Sequence, residues 1–332
     1  MQAMARIRTS FLLTLFLISN FITAQAQSNS CSVNVPVALV DHKGNLLGGA
    51  TAKDLTVLLR KQVLPIESVT YDTGPRRLLF VIDTGRHLPA EVRKMELALV
   101  KHLLNEARTD DTFALFTVRG ASRQVRFEEG KDAISKAVEE LSSDAKENKK
   151  AGAMLDTIAE GLSWFGTPRP GDSILLMTDQ LVPYDTKSQF RNGYFVDVQP
   201  AQESAKVRFE KVTELLAEHR ARAFGVQFGG ILHDPDTYAV TDENLLGLCL
   251  GSGGYVIVDA MTPQGGYQLT GARIEDLEKK VYQLTGAIAE FYSVKVQAPA
   301  HAEKQQWKIE LANDLRKNTY ALYPRWVGAC GE

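Results

Sequence analysis

Apolar and polar residues alternate near both ends of this chain. The run 33–39, VNVPVAL, places valines and leucines at every second position and ends in a polar turn at 41–45, DHKGN. A period of two is typical of a strand with one buried face. The same pattern is found at 55–59, 66–71, 291–297, 306–311 and 318–323. We predict that strands from the two ends join in one small sheet or sandwich.

Between residues 77 and 289 the pattern changes to apolar strands that alternate with amphipathic helices. Predicted strands cover 78–83, 112–118, 173–178, 221–228 and 254–258, with 123–127 expected to pair with 112–118. Predicted helices cover 89–107, 132–141, 154–165, 203–219, 243–248 and 274–289. Strands separated by helices favour a parallel sheet with helices on both faces. The predicted fold class is therefore α/β, a doubly wound and mostly parallel sheet, with a small β module built from the two termini.

The first helix of this central region has a recognisable core face. Val92, Met95, Leu99, His102 and Leu103 recur at helical spacing along 89–107. We expect this face to pack on the sheet.

The first 26 residues have the features of a secretory signal. Arg6 and Arg8 precede an apolar run at 11–22, and Ala24-Gln25-Ala26 forms a cleavage site. The apolar run is short for a membrane span, so stable membrane insertion is not expected. The sequence thus predicts a secreted or periplasmic protein. The predicted divisions are a signal peptide at 1–26, a β segment at 27–75, the α/β domain at 76–290 and a second β segment at 291–332.

Charge and cysteine content bear on the class of partner and on disulfide formation. A net charge of −2 and the lack of a long basic block argue against nucleic acid as a partner. Cys31 and Cys330 lie near the two ends of the mature chain and would pair if exported to an oxidising compartment, although free thiols are the alternative. Cys249 lies in the apolar run LLGLCLG and is expected to be a buried thiol.

Two carboxylates are placed where open α/β sheets bind ligands. Asp83 directly follows the apolar strand 78–82, and Asp179 directly follows 173–178. The carboxyl ends of parallel strands share one sheet edge, so both side chains are expected there. The plainer alternative is that each carboxylate caps the backbone of the turn that follows it.

Enzyme signatures are weak in this sequence. A phosphohydrolase that used Asp83 as its nucleophile would need a second acid two residues later, where the chain has Gly85. The sequence contains neither a phosphate-binding G-x-x-x-x-G-K-[ST] loop nor a C-x-x-C or H-x-x-x-H pair. We therefore expect a non-enzymatic protein and keep an Asp83-dependent phosphohydrolase as the remote alternative.

The order of several segments resembles a known family. The segments are VALVDHKGNLLGGATAKDLTVLLRKQVLPI, RLLFVIDTGRH, KAGAMLDTIAEGL, DSILLMTDQ, SGGYVIVDA, FYSVKV, WKIEL and ALYP. In this order they resemble bacterial secreted proteins in which a β preamble precedes a von Willebrand factor type A domain. The resemblance covers nearly the whole mature chain. It implies the doubly wound fold and binding to a protein partner.

The resemblance also implies that the family's metal site is degenerate here. Asp83 and Asp179 match the family's two aspartates. Gly85 and His87 stand where the family has serines, and Ala153 stands where it has a threonine. Mg²⁺ needs about six oxygen ligands, so loss of three hydroxyls predicts no cofactor, or at most a weakly held divalent cation on Asp83 and Asp179.

A long polar and aromatic loop follows Asp179. Residues 181–199 leave the same predicted sheet edge, and aromatic and arginine side chains of this kind are enriched at protein interfaces. The candidate interface residues are Tyr184, Phe190, Arg191, Tyr194 and Phe195. A loop packed by its own aromatic residues is the alternative. The sequence hence predicts a metal-independent protein-binding module with an unidentified protein partner. The alternatives are metal-dependent adhesion and a scaffold role that does not use this edge.

Overall fold

The computed structural model describes residues 30–85, 90–118, 123–143, 154–178, 199–228, 243–259, 271–299 and 307–325. The strands are β1 (Ser30–Asp41), β2 (Leu55–Leu59), β3 (Gln62–Leu64), β4 (Ile66–Asp72), β5 (Arg77–Asp83), β6 (Thr112–Val118), β7 (Gln124–Val125), β8 (Ser173–Thr178), β9 (Arg222–Phe228), β10 (Val256–Asp259), β11 (Phe291–Pro299), β12 (Trp307–Leu311) and β13 (Thr319–Leu322). The helices are α1 (Ala90–Glu106), α2 (Gly130–Ser143), α3 (Met154–Ser163), α4 (Gln199–Glu218), α5 (Glu243–Gly251), α6 (Gly271–Ala289) and α7 (Asn313–Arg316). The predicted signal peptide at 1–26 lies outside the described residues and stays a prediction.

The central sheet has the strand order β10-β9-β8-β5-β6-β7. Its strands run parallel except β7, which pairs antiparallel with β6. The predicted strands 112–118 and 173–178 have the observed bounds, and the predicted pairing of 123–127 is confirmed in shorter form. Of the described helices, none is long and apolar enough to cross a membrane.

Helices cover both faces of this sheet. In β5, Leu78, Phe80 and Ile82 pack into the cluster that contains the apolar residues of α1, α2 and α6. Leu79 and Val81 point into the opposite cluster, with residues of α3, α4 and α5. Alternate side chains of one buried strand thus serve two separate cores, which accounts for its unbroken apolar sequence. The predicted doubly wound α/β architecture is confirmed.

Helix α1 differs from its predicted face at two positions. His102 is exposed, although the helical spacing placed it with the core residues. Glu96 is fully buried instead, on the same side as Val92 and Val100. Val92, Glu96 and Val100 follow one another at i, i+4 spacing and share the buried side of the helix. A hydrophobicity pattern does not predict the burial of Glu96, because its side chain is charged.

The terminal strands form a two-layer module. One sheet has the order β13-β1-β11-β4 and the other β12-β2-β3, so strands from both ends of the chain mix in each sheet. Their facing side chains share one core, which includes Val35, Leu59, Val294 and Trp307. The predicted sandwich is confirmed, while β3 is a short strand that the sequence pattern did not reveal.

The second face of β1 is also covered. The predicted alternation ends after Val35, because every residue from Pro36 to Val40 is buried. Pro36 borders a cleft with Leu216 of α4 and Leu248 of α5, and Leu46 approaches Gly286 of α6. The module therefore packs directly on the helices of the central domain, and β1 is buried from both sides.

Arginine side chains fix the carboxyl end of α6, where the domain and the module meet. The guanidinium of Arg222, at the start of β9, donates to the carbonyls of Ala287 and Ile288 at 2.9 Å each. Arg76 Nε and Arg108 Nη2 donate to the carbonyl of Ala289 at 3.0 and 3.3 Å. These carbonyls have no partner inside the helix, and cations are favoured at the negative end of the helix dipole.

Aromatic contacts and one carboxylate complete this arginine cluster, formed by Arg76, Arg108 and Arg222. The guanidinium carbons of Arg76 and Arg222 lie 4.5 and 4.6 Å from the centre of the Phe291 ring, at the start of β11. Arg76 Nη2 also donates to Asp72 Oδ1 at 2.8 Å. Burial and the neighbouring Arg76 lower the pKa of Arg222 to about 9, so its guanidinium remains charged at neutral pH.

We expect Arg222→Met to lower the free energy of unfolding by about 2–4 kcal/mol, because two buried carbonyls lose their donors while most of the side-chain volume is kept. Urea unfolding of the purified protein measures the change. Lys94→Ala, on the exposed side of α1, is the control and should change stability by less than about 0.5 kcal/mol. Equal stability of Arg222→Met and the wild type would contradict a stabilising role for the cluster.

Asp72 should make the junction sensitive to acid. Burial raises the pKa of Asp72, but the hydrogen bond from the Gly74 amide and the Arg76 guanidinium outweigh burial and hold the pKa below its ordinary 3.8. Such a group stabilises the fold above its unfolded pKa, and this stabilisation is lost as the pH falls through the folded pKa. We expect Asp72→Asn to be less stable at neutral pH and to lose less further stability between about pH 5 and pH 2.

Urea unfolding at a series of pH values measures this difference. Asp110→Asn removes an exposed carboxylate from the turn before β6 and is the matched control. If the wild type and Asp72→Asn lose stability in parallel on acidification, the contribution assigned to Asp72 is wrong.

Candidate functional site

The strand order places a crevice at the carboxyl ends of β5 and β8. From β5 the chain continues outward to β6 and β7 on one side, and β8, β9 and β10 then build the sheet on the other side. The two neighbouring strands β5 and β8 are therefore the point at which the direction of winding reverses. In open α/β sheets, ligands bind at the carboxyl ends of the strands at such a point.

Asp83 ends β5 at this crevice and is fully buried. Its Oδ1 accepts a hydrogen bond from the Gly85 amide at 3.0 Å. Its Oδ2 accepts one from the Thr178 hydroxyl, at the end of β8, at 3.2 Å. The carboxylate thus caps its own turn and also joins the two strands across the crevice.

The turn after Asp83 is fixed by the next strand as well. The Thr84 amide donates to the Val118 carbonyl at 2.9 Å, and the Thr84 hydroxyl donates to the same oxygen at 3.2 Å. Thr84 is buried. Backbone and side-chain hydrogen bonds therefore hold the start of the loop between β5 and α1 in one position.

Polar side chains continue along this edge at the ends of the other strands. Thr117, Thr178 and Gln227 are buried, and Thr178 lies opposite Gln227 in the pairing of β8 with β9. The Thr117 hydroxyl accepts a hydrogen bond from the Arg123 amide at 2.7 Å. We call Asp83, Thr84, Thr117, Thr178 and Gln227 the sheet-edge floor. They place a carboxylate, hydroxyls and an amide beneath this edge, where hydrogen bonds within the fold hold the strand ends and the turn after β5 in position.

Sequence reasoning missed most of this floor. A signal was present, because Thr117, Thr178 and Gln227 are polar residues in the last two positions of strands whose middle residues are apolar. A polar residue in that position of a parallel strand lies at the edge where sites are built.

An arginine side chain lies beside this turn. Arg93, in the first turns of α1, is half-buried, and its Nη2 donates to the Gly85 carbonyl at 3.4 Å. The Arg93 guanidinium therefore lies next to the turn that Asp83 caps, and brings a positive charge to the same edge.

Only part of the predicted metal site can be placed. Asp83 and Gly85 lie together as expected, with the Gly85 amide on the Asp83 carboxylate. The remaining predicted residues lie outside the described residues: His87, Ala153, Asp179, Tyr184, Phe190, Arg191, Tyr194 and Phe195. Their roles stay predictions. Over the part of the chain that the structure describes, no three His, Cys, Asp or Glu side chains cluster in a way that could hold a metal.

The structure describes two of the three cysteines, Cys31 and Cys249. Cys31 lies in β1 opposite Ala298 of β11, close to the carboxyl-terminal strands that the predicted Cys31–Cys330 pairing requires. Cys330 lies outside the described residues, so this disulfide stays a prediction. Cys249 is fully buried in α5, as the sequence predicted.

Comparisons with known proteins show only distant structural similarity. No protein-family model and no curated protein sequence matches the chain. Among solved structures, proximal thread matrix protein 1 from the mussel byssus, with a zinc-occupied MIDAS motif, is 13% identical, covering 70% of this chain and 49% of that chain, with a TM-score of 0.42. The chain thus spans about half the length of the mussel protein.

Two smaller structures match over nearly their full length. An aerotolerance-related membrane protein from Bacteroides fragilis is 13% identical, over 64% of this chain and 99% of that chain, with a TM-score of 0.38. The SpRpn10 VWA domain is 9% identical, over 61% of this chain and 95% of that chain, with a TM-score of 0.38. The architecture given above rests on strand order and packing, not on these similarities.

The hydrogen bond between Thr178 and Asp83 should be measurable as a coupling energy. We expect Thr178→Val to lower the free energy of unfolding by about 1–3 kcal/mol, because a buried carboxylate oxygen loses a donor. In an Asp83→Asn background the same substitution should cost about 1 kcal/mol less. Urea unfolding of the two single variants and the double variant gives this coupling energy.

Thr70→Val is the control for the threonine-to-valine change, because Thr70 is exposed on β4. Its effect should be the same in both backgrounds. Additive effects of Thr178→Val and Asp83→Asn would show that the contact across the crevice contributes nothing to stability.

Proposed function

We propose that this chain is a non-enzymatic, secreted or periplasmic protein-binding module that recognises its partner through the carboxyl edge of the central sheet. The single observation that carries the proposal is the sheet-edge floor at the reversal point between β5 and β8. Its hydrogen-bonding groups are held rigidly from below by two buried cores. Export is inferred from the signal-like sequence of residues 1–26.

Pre-organisation of the floor supports recognition. Asp83, Thr84 and Thr178 are buried and held by hydrogen bonds within the fold, so the edge that they support loses little conformational entropy when a partner binds. The predicted loop 181–199 would leave this edge and supply aromatic and arginine contacts around the floor. The resemblance of the sequence segments to von Willebrand factor type A proteins points to the same edge and the same kind of partner.

The proposed recognition does not depend on a metal. Gly85 supplies an amide hydrogen to Asp83 at the position where the resembling family has a serine hydroxyl ligand. Glycine has no side-chain oxygen, so this position supplies no hydroxyl ligand to a hard cation. The half-buried guanidinium of Arg93 already provides positive charge beside this turn.

Calorimetric titration tests this metal-independence. The chain without residues 1–26, first treated with chelator, is titrated separately with Mg²⁺, Mn²⁺ and Zn²⁺. We expect no saturable heat, because Gly85 and His87, at the family's serine positions, have no hydroxyl group. Asp83→Asn keeps the size of the side chain and is the control. Micromolar binding that Asp83→Asn abolishes would overturn this proposal in favour of metal-dependent adhesion.

Variants at opposite ends of the sheet test the binding edge itself. Proteins that bind the purified chain are captured from envelope extracts and identified, with and without chelator. Deletion of 181–199, and separately Arg93→Glu, should remove the specific partner at the carboxyl edge. Arg169→Ala changes an exposed arginine at the amino edge and should leave capture unchanged. Capture that survives both carboxyl-edge variants would favour a scaffold role without a site at this edge.

A further inference from the structure

Strand β4 forms one edge of the larger sheet of the terminal module. It has seven residues, whereas the other edge strands that the structure describes, β3, β7, β10, β12 and β13, have two to five. Proteins usually keep edge strands short or place lysine or proline in them, because an open edge can pair with another strand. β4 is long for an edge strand and contains neither lysine nor proline.

The outer side of β4 is open to a further strand. β4 pairs with β11 on its other side only. The helical turn Ala52–Asp54 lies close to β4, but its backbone hydrogen bonds join Thr51 and Ala312 instead. Among the described residues, no backbone group of 66–71 is bonded to any segment except β11. Alternate amides and carbonyls of β4 therefore face outward without a strand to pair with.

The charges of β4 do not protect this edge. The Glu67 carboxylate is paired with Lys295 at 2.8 Å, and the Asp72 carboxylate is paired with Arg76 at 2.8 Å. Both acids are thus neutralised by neighbours within the fold. The segment between them, 68–71, exposes only neutral side chains.

The pairing of β4 with β11 sets the part of the edge that can be used. The register shifts at Glu67, which is the extra residue of a β-bulge. The regular part of the strand is therefore 68–72. Within it, the Tyr71 side chain is 41% exposed although its ring lies 5.1 Å from that of Tyr292, so a partner strand would cover apolar surface as well.

We propose that two copies of this chain associate through antiparallel pairing of their β4 strands about a two-fold axis at Thr70. In this register Thr70 lies opposite the same residue of the second copy, and Val69 lies opposite Tyr71. Threonine pairs and aromatic–β-branched pairs are favourable across strands. Ser68 lies opposite Asp72, so no two like charges face each other. The two four-stranded sheets become one continuous sheet, and the symmetric contact closes as a dimer.

This association is independent of the proposed function. The chain passes from Asp72 at the end of β4 into β5 at the amino edge of the central sheet. The sheet-edge floor lies at the opposite end of β5. Pairing through β4 therefore leaves the carboxyl edge of each copy uncovered.

Sedimentation velocity over a range of concentrations up to about 0.5 mM tests the proposal on the chain without residues 1–26. We expect a monomer–dimer equilibrium with a Kd of about 10–100 µM, because pairing of one short strand buries a small interface. Thr70→Lys should weaken the dimer at least about tenfold, since two ammonium groups then face each other at the axis. Asn318→Lys adds the same charge before β13, at the other edge of this sheet, and should leave the equilibrium unchanged.

Cysteine cross-linking tests the register. In the proposed dimer the two Thr70 Cα atoms lie about 4.5–5.5 Å apart, within the range that a disulfide spans. The two Ser68 residues lie about 13 Å apart along the strands, which a disulfide cannot bridge. Mild oxidation should thus link Thr70→Cys into a covalent dimer and leave Ser68→Cys unlinked. The wild type, treated in the same way, controls for the native cysteines.

Thermal unfolding at low concentration separates loss of the contact from loss of the fold. Thr70 is exposed in the single chain, so Thr70→Lys should melt at the temperature of the wild type. A wild-type chain that stays monomeric throughout the concentration range overturns the proposal. A dimer that Thr70→Lys does not weaken, or equal cross-linking of Thr70→Cys and Ser68→Cys, overturns it as well.

Discussion

The arrangement of the whole molecule depends on how the carboxyl end of α6 is held. Three arginines from separate parts of the central domain donate to its last carbonyls, and two of them also stack on Phe291. One residue, Glu290, separates α6 from β11, so fixing the helix end also fixes the first strand of the returning chain. Since β11 pairs with both β1 and β4, the position of the module is determined by charged hydrogen bonds at the domain's amino edge.

The two edges of the central sheet consequently have different roles. At the amino edge, charges are paired inside the fold. Arg77 Nε donates a hydrogen bond to Asp172 Oδ1 at 2.8 Å, and Arg76 donates one to the Asp72 carboxylate. At the carboxyl edge, short polar side chains end the strands and are joined by neutral donors, such as the Thr178 hydroxyl on Asp83. The amino edge is thus held by charged contacts, and the carboxyl edge by hydrogen bonds between short polar side chains and the backbone.

The junction has a second consequence, at the cleft beside β1. Helices of the central domain cover the second face of β1. A cleft bordered by Pro36, Leu216 and Leu248 remains between them. Arg220 stands at its border in a conformation that glycine would adopt without cost. Packing of two units thus creates both a stable connection and a separate concave surface.

The sequence by itself determined most of the elements, the parallel sheet and the position of Asp83, because hydrophobic periodicity is a local property. The strands 112–118 and 173–178 were predicted with their observed bounds for this reason. Only the tertiary structure decided the contacts between distant segments. Thr178 meets Asp83 although 95 positions separate them, and Glu96 is buried while His102 is exposed. The arginine cluster was equally unpredictable, since strand order and the packing of α6 on the sheet bring its members together and neither is encoded in a local pattern.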